Sequence, residues 1–119
     1  MEQRAECLDL LKEAAPQVAI WGAAGKGQVL SHAINPYQDV FAIDADPGRW
    51  GKFLEASGVQ VHSPREATQI VSADTLILVS NPRHFEEIAR YVDGSCRVLP
   101  ADKDLPSLLS KLLGNRGNF

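Results

Sequence analysis

Two hydrophobic patterns alternate along this chain. Short, mostly continuous apolar runs occur at Gln17–Trp21, Val40–Ile43 and Asp74–Val79, and Val59–His62 and Cys96–Leu99 read as further short strands. Runs of this kind, apolar at consecutive rather than alternate positions, belong to strands buried on both faces of a parallel sheet. Between them, apolar residues recur three and four apart, the spacing of a helix face. Residues 3–14 read as a helix with Ala5, Leu8, Leu11 and Ala15 on one side and Pro16 as its stop. A second helix carries Val29, Leu30, Ala33 and Ile34 and closes at Asn35-Pro36. Ser63-Pro64-Arg65-Glu66 has the order of a helix start: a hydroxyl at the N-cap, proline in the first helical place and an acid in the first turn. Another helix begins after Ser80-Asn81-Pro82, with Phe85, Ile88, Ala89 and Val92 on its face and Gly94 as its stop. The last helix is expected over Leu105 to Leu113, opened by Pro106 and ended by Gly114. The stretch 47–58 has no clear period and is left unassigned.

Strands and helices in strict alternation predict a doubly wound α/β domain. The expected architecture is Rossmann-like: a five-stranded parallel sheet in the order 3-2-1-4-5 with helices on both faces. Residues 1–114 form this single domain and 115–119 a frayed tail. In such a sheet the chain leaves strands 1 and 4 toward opposite faces, and a crevice opens between their carboxyl ends. Three segments reach it: Gly22–Gly27, Asp44–Asp46 and Ser80–His84.

Composition narrows the function classes. Of 119 residues, 45% are hydrophobic and 23% charged, so the chain can build a core without disulfides or metals. Its formal net charge of −3 supplies no basic excess for phosphate backbones, so nucleic acid is not an expected partner. No apolar run is long enough to span a bilayer, and the opening MEQRAECLDLLKEA is charged where an export signal needs an apolar core. Cys7 and Cys96 lack a metal or redox spacing, which fits a reducing, cytoplasmic setting. At this length a substrate enclosed between two domains would have this chain as only one of its walls.

The chemistry concentrates in the first turn, Gly22-Ala23-Ala24-Gly25-Lys26-Gly27. Against the dinucleotide pattern GxGxxG it keeps the first and third glycines but has Ala24 in the middle, where a methyl group obstructs a pyrophosphate. An acid, Asp44, follows the second strand at about the expected distance. Lys26 at a helix start opposes the helix dipole and is best explained by an anion beside it, a solvated surface lysine being the alternative. The turn is not a P-loop, since Lys26 is followed by Gly27 and not by a hydroxyl. Nor is it a typical S-adenosylmethionine loop, because Ile20 and Trp21 stand where an acid is usual. Asp44-Ala45-Asp46 spells DxD, but a hydroxyl acceptor followed by a turn accounts for it better than a metal site. His32, His62 and His84 have no metal-ligand spacing, and no nucleophile–base arrangement is visible. Trp21 either lines a nucleotide pocket or packs under the first helix; Phe53 and Leu54 form either a satellite core or an exposed patch.

These segments resemble the C-terminal domain of sugar C-methyltransferases, enzymes that methylate nucleotide-linked deoxysugars. Val18–Gly27 is similar to the family's "YGAxxKG" strand and turn, and Phe41–Pro47 to its "VVDRNPxKxG". Trp50-Gly51-Lys52-Phe53-Leu54 is similar to "GKYLPG", and Val59–Pro64 to "IPIxSP". Leu76–Asn81, Glu86-Glu87-Ile88 and Val98-Leu99-Pro100 fit the later elements, so the resemblance covers roughly residues 10–101. Trp21 replaces a tyrosine, Ala45-Asp46 an Arg-Asn pair, and Ser57-Gly58 a Pro-Gly turn. The resemblance implies a wall that binds a nucleotide-linked sugar, inactive alone. S-adenosylmethionine would be held by a separate methyltransferase domain or chain, with no cofactor on this one. The candidate binding residues are Gly22, Ala23, Ala24, Gly25, Lys26, Gly27, Asp44, Ser80, Asn81 and Arg83, with no catalytic residue and no metal ligand. Two alternatives stay open. One is a free-standing nucleotide-binding or protein-interaction module. The other is a domain similar to the N-terminal part of sugar O-acyltransferases, which share a glycine-rich first turn but lack the GKxL and SP features.

Overall fold

The computed structural model describes residues 15–101 apart from 24, 36–38, 56, 93 and 95, together with Asp9 and Glu13, both helical. The rest of the expected first helix, the last helix and the tail lie outside the described residues. The elements run β1 (Gln17–Trp21), α1 (Lys26–Ile34), β2 (Asp39–Ile43), β3 (Val61–His62), α2 (Pro64–Ile70), β4 (Thr75–Val79), α3 (Phe85–Val92) and β5 (Arg97–Pro100). All strand pairs are parallel, in the order β3-β2-β1-β4-β5. This is the Rossmann-like doubly wound sheet that the alternation predicts.

Burial explains the continuous apolar runs. Every residue of β4 is buried, and so are Val18, Ala19 and Ile20 of β1. Alternate side chains supply two cores, one on each face. Val18, Ile20, Leu76 and Leu78 pack with Ile34 of α1, and also with Leu54 and Val59. Ala19, Ile77 and Val79 pack with Ala67 of α2 and with Ile88 and Val92 of α3. Each fully buried Leu, Ile or Val contributes about 1.5–3 kcal/mol over leaving it exposed. The buried polar Thr75 is satisfied: its hydroxyl donates to Gln17 Oε1 at 2.7 Å and accepts the Ser72 N–H at 3.0 Å.

Local signals hold where the contacts are local. Ser63 caps α2, accepting the Glu66 N–H at 3.1 Å while Glu66 Oε1 accepts the Ser63 N–H at 3.3 Å, with Pro64 in the first turn. The entry to α3 differs from expectation. Pro82–His84 is a 3-10 turn, begun by Asn81 Oδ1 accepting the Arg83 N–H at 3.2 Å, and the α-helix starts at Phe85. Val29 also departs from the expected apolar face: it is 68% exposed, while Ile34 is buried.

The stretch 47–58 is now accounted for. Pro47–Arg49 forms a 3-10 turn, with Asp46 Oδ1 accepting the Gly48 N–H at 3.0 Å. The following residues fold back along β3: Gly51 N–H donates to Val61 O at 2.8 Å, Val61 N–H to Lys52 O at 2.9 Å, and Leu54 N–H to Val59 O at 2.8 Å. This tongue covers the edge of β3 that would otherwise be unpaired. Of the expected strand Val59–His62, only Val61–His62 form β3; Val59 pairs with the tongue, and Gln60 bridges Phe53 while its carbonyl accepts the Ala42 N–H of β2 at 3.0 Å.

Candidate functional site

The crevice forms where Trp21 and Val79, paired in register, end β1 and β4. From there α1 runs to one core and α3 to the other, which is the switch point of a doubly wound sheet. The exits of three strands are stitched together. Gly22 N–H donates to Ile43 O at 2.7 Å, and Ser80 N–H donates to Trp21 O at 3.0 Å. The Ser80 hydroxyl lies 3.1 Å from Trp21 O and 3.0 Å from Gly22 O, so it tethers the β4 exit to the glycine turn.

The turn needs its glycines for different reasons. Gly22 has φ +99°, a conformation that favours glycine, and a β-carbon there would strike the Ser80 hydroxyl. A β-carbon on Gly27 would overlap the Gly22 carbonyl, so the third glycine permits the close approach of α1 to the turn. Gly25 stands at the N-cap of α1 with φ +57° and has no side chain to cap the first turn. The first N–H groups of a helix have no intrahelical carbonyl partner and carry partial positive charge.

Asp44, at the end of β2, ties this turn to the next. Its Oδ2 accepts the Ala23 N–H at 3.0 Å and its Oδ1 accepts the Asp46 N–H at 2.9 Å. Arg49 Nε lies 3.8 Å from Asp44 Oδ2 and 3.6 Å from Asp46 Oδ2. Trp50 Nε1 donates to the Asp44 carbonyl at 2.6 Å. The two acids of the DxD sequence thus share an arginine. Among the described residues, no group of three or more His, Cys, Asp or Glu side chains is placed to hold a metal ion.

A cavity of about 470 Å³ opens at the crevice, on the α3 side of the sheet. It is lined by Trp21 and Val79 of the strands and by Ile88, Glu87 and Tyr91 of α3 with His84 before it. Gly22, Asp44, Ala45, Asn81 and Pro64 complete the lining. The Trp21 and Tyr91 rings meet edge to face, 5.8 Å apart at 79°. Trp21 therefore lines the cavity and packs toward α3.

Of the expected binding residues, Gly22, Asp44 and Asn81 line this cavity. Ala23 is fully buried with its N–H on Asp44, and Ser80 is buried beneath the turn. Gly25 is exposed at the N-cap, Gly27 is buried against the turn, and Arg83 is exposed with its N–H on Asn81. Ala24 lies outside the described residues, and Lys26 is the first residue of α1. His84 belongs to the Ser80–His84 segment expected at the crevice, whereas Glu87 and Tyr91 were not among the expected binding residues. The spacing of three and four puts all three on one helical stripe, beside the Ile88 and Val92 stripe that forms the core. A polar and aromatic stripe next to a core stripe was the available signal.

No protein-family model matches the chain, and no curated protein matches it. Among the described residues, no helix is long and apolar enough to cross a membrane.

Proposed function

We propose that this domain is the nucleotide-sugar-binding wall of a sugar C-methyltransferase, holding its ligand at the β1–β4 crevice and performing no chemistry alone. The observation that carries this reading is the cavity at the switch point, bounded by the glycine turn, Asp44 and Asn81. The motif resemblance supports it independently, because each motif has a structural task around that crevice. The glycine turn and Asp44 form its lip, the Trp50–Leu54 segment is the tongue beside β3, and Ser63-Pro64 starts α2 at its side. The diphosphate is assigned to the start of α1, where the helix dipole and the Lys26 charge favour an anion.

The residues do not fit an S-adenosylmethionine site on this chain. Ile20 is fully buried and Trp21 lines the cavity, at the positions where that cofactor's loop usually places an acid. The methyl donor and the acid–base groups are accordingly assigned to a separate domain or chain. The cysteine usage fits a cytoplasmic setting.

One observation favours a second reading, a protein-interaction module: Phe53 on the tongue is 64% exposed and Trp50 is 40% exposed. NMR titration separates the two readings. A nucleoside diphosphate sugar should shift the amides of Gly22–Gly27, Asp44 and Ser80–Arg83. Shifts confined to 47–58 in the presence of a partner protein, with none from the nucleotide sugar, would favour the interaction module.

A further inference from the structure

The charge and polarity of the cavity divide the ligand. Its described titratable lining is Asp44, Glu87, His84 and Tyr91, with no lysine or arginine among the described lining residues. Arg49, the nearest arginine to Asp44, also faces Asp46, and His84 Nδ1 lies 4.0 Å from a Glu87 oxygen. Its acceptors are the carboxylates of Glu87 and Asp44 and the Asn81 amide oxygen, the last two already holding backbone N–H groups. The same lining carries two aromatic rings, Trp21 and Tyr91, and the aliphatic Val79 and Ile88. Acceptors and aromatic rings in one cavity suit an uncharged ring that stacks on the aromatics and donates N–H or O–H groups to the acceptors. The same carboxylates repel a phosphate.

We infer that this cavity seats an uncharged, hydrogen-bond-donating ring, the sugar or the base of the nucleotide sugar, and excludes its phosphates. The inference rests on the crevice being a nucleotide-sugar site, and it divides that site in two. The phosphates lie outside, at the start of α1, and the ring lies against Trp21 and Tyr91. Trp50 provides an internal control, since its indole N–H is held by the Asp44 carbonyl outside the aromatic wall.

The test is titration of the ¹⁵N-labelled protein with uridine, glucose and inorganic phosphate, one at a time. Uridine or glucose should shift the Trp21 indole N–H and the amides of 84–91 in a saturable way, and whichever does so identifies the ring as base or sugar. Phosphate should leave those signals in place. Tyr91→Ala, at a position 51% exposed, should weaken the ring ligand about tenfold while leaving the thermal midpoint within a degree or two. No shift at Trp21 with either ring compound overturns the inference, and so does a phosphate shift equal to theirs. The broader reading fails separately. If a nucleoside diphosphate sugar binds no tighter than its nucleoside and leaves Gly25–Gln28 unshifted, the phosphate assignment is wrong and the ring assignment stands.

Discussion

The carboxylate of Asp44 accepts the backbone N–H of Ala23 at 3.0 Å, joining the end of β2 to the turn after β1. With Gly22 N–H on Ile43 O at 2.7 Å, it fixes the lip of the crevice from within the protein. In a dinucleotide site the acid at this place reads a ribose hydroxyl. Here each of its oxygens already holds a backbone N–H, so its first role is positioning.

Asp44→Asn should therefore destabilise the fold even with no ligand present. The amide keeps one acceptor oxygen and sets an NH2 group against the other backbone N–H. Hydrogen bonds to a charged acceptor are worth about 1.5–3 kcal/mol, and the partial exposure of this side chain brings the expected loss to about 1–2 kcal/mol. Urea unfolding measures it. A variant as stable as the wild type would mean that Asp44 serves only a ligand.

Gly27→Ala should cost more. The added methyl overlaps the Gly22 carbonyl, and backbone on both sides must move. Overpacking of this kind costs about 1–3 kcal/mol, and the upper end is expected because the contact is with backbone. Gly25→Ala meets no neighbour but is strained by its positive φ, so a smaller loss of about 1 kcal/mol is expected. If the two variants lost equal stability, close packing would not be the reason for Gly27.

Stability should also respond to acid through Glu66. Its carboxyl is held below its ordinary pKa, chiefly by the Ser63 backbone N–H; partial desolvation opposes this, and the Ser63 hydroxyl and His62 assist. A lowered folded-state value means that the unfolded chain binds the proton more readily. The contribution is therefore present above the unfolded pKa and lost as pH falls through the folded one. Chemical denaturation from pH 6 down to pH 3 should show a shallower loss for Glu66→Gln than for the wild type. Identical acid limbs would remove the carboxylate from the account.

Strands were the most legible part of the sequence, because burial on both faces makes β1 and β4 apolar at consecutive positions. The Ser63–Glu66 cap was legible because every contact in it lies within three residues. The tongue was not, since Lys52 and Leu54 pair with residues up to nine positions away and carry no period of their own. Val29 was misassigned to the buried face by spacing alone; α1 turns Ile34 inward and leaves Val29 out. The crevice loops followed from strand order, which the alternation of elements predicts. The Glu87 and Tyr91 stripe was readable beside the Ile88 and Val92 stripe, but its place at the cavity depends on how α3 sits over the sheet, a tertiary feature.

Lys26 tests the phosphate assignment. As the first residue of α1 it adds a positive charge at the positive end of the helix dipole, unfavourable by roughly 0.3–1 kcal/mol. Beside a bound phosphate the same charge contributes about 1.5–3 kcal/mol. Lys26→Ala should leave thermal stability unchanged or slightly raised while weakening a nucleoside diphosphate sugar about tenfold or more. Added salt should weaken the wild type more than the variant. A marked loss of stability with unchanged affinity would make Lys26 a structural residue.

The most direct measurement is a calorimetric and NMR titration of the chain with a nucleoside diphosphate hexose, with S-adenosylmethionine as the comparison ligand. The nucleotide sugar should bind saturably at 1:1, with shifts clustered at Gly22–Gly27, Asp44 and Ser80–Arg83, and S-adenosylmethionine should show no specific binding. Specific 1:1 binding of S-adenosylmethionine, or a nucleotide sugar that leaves all three crevice loops unshifted, would contradict it.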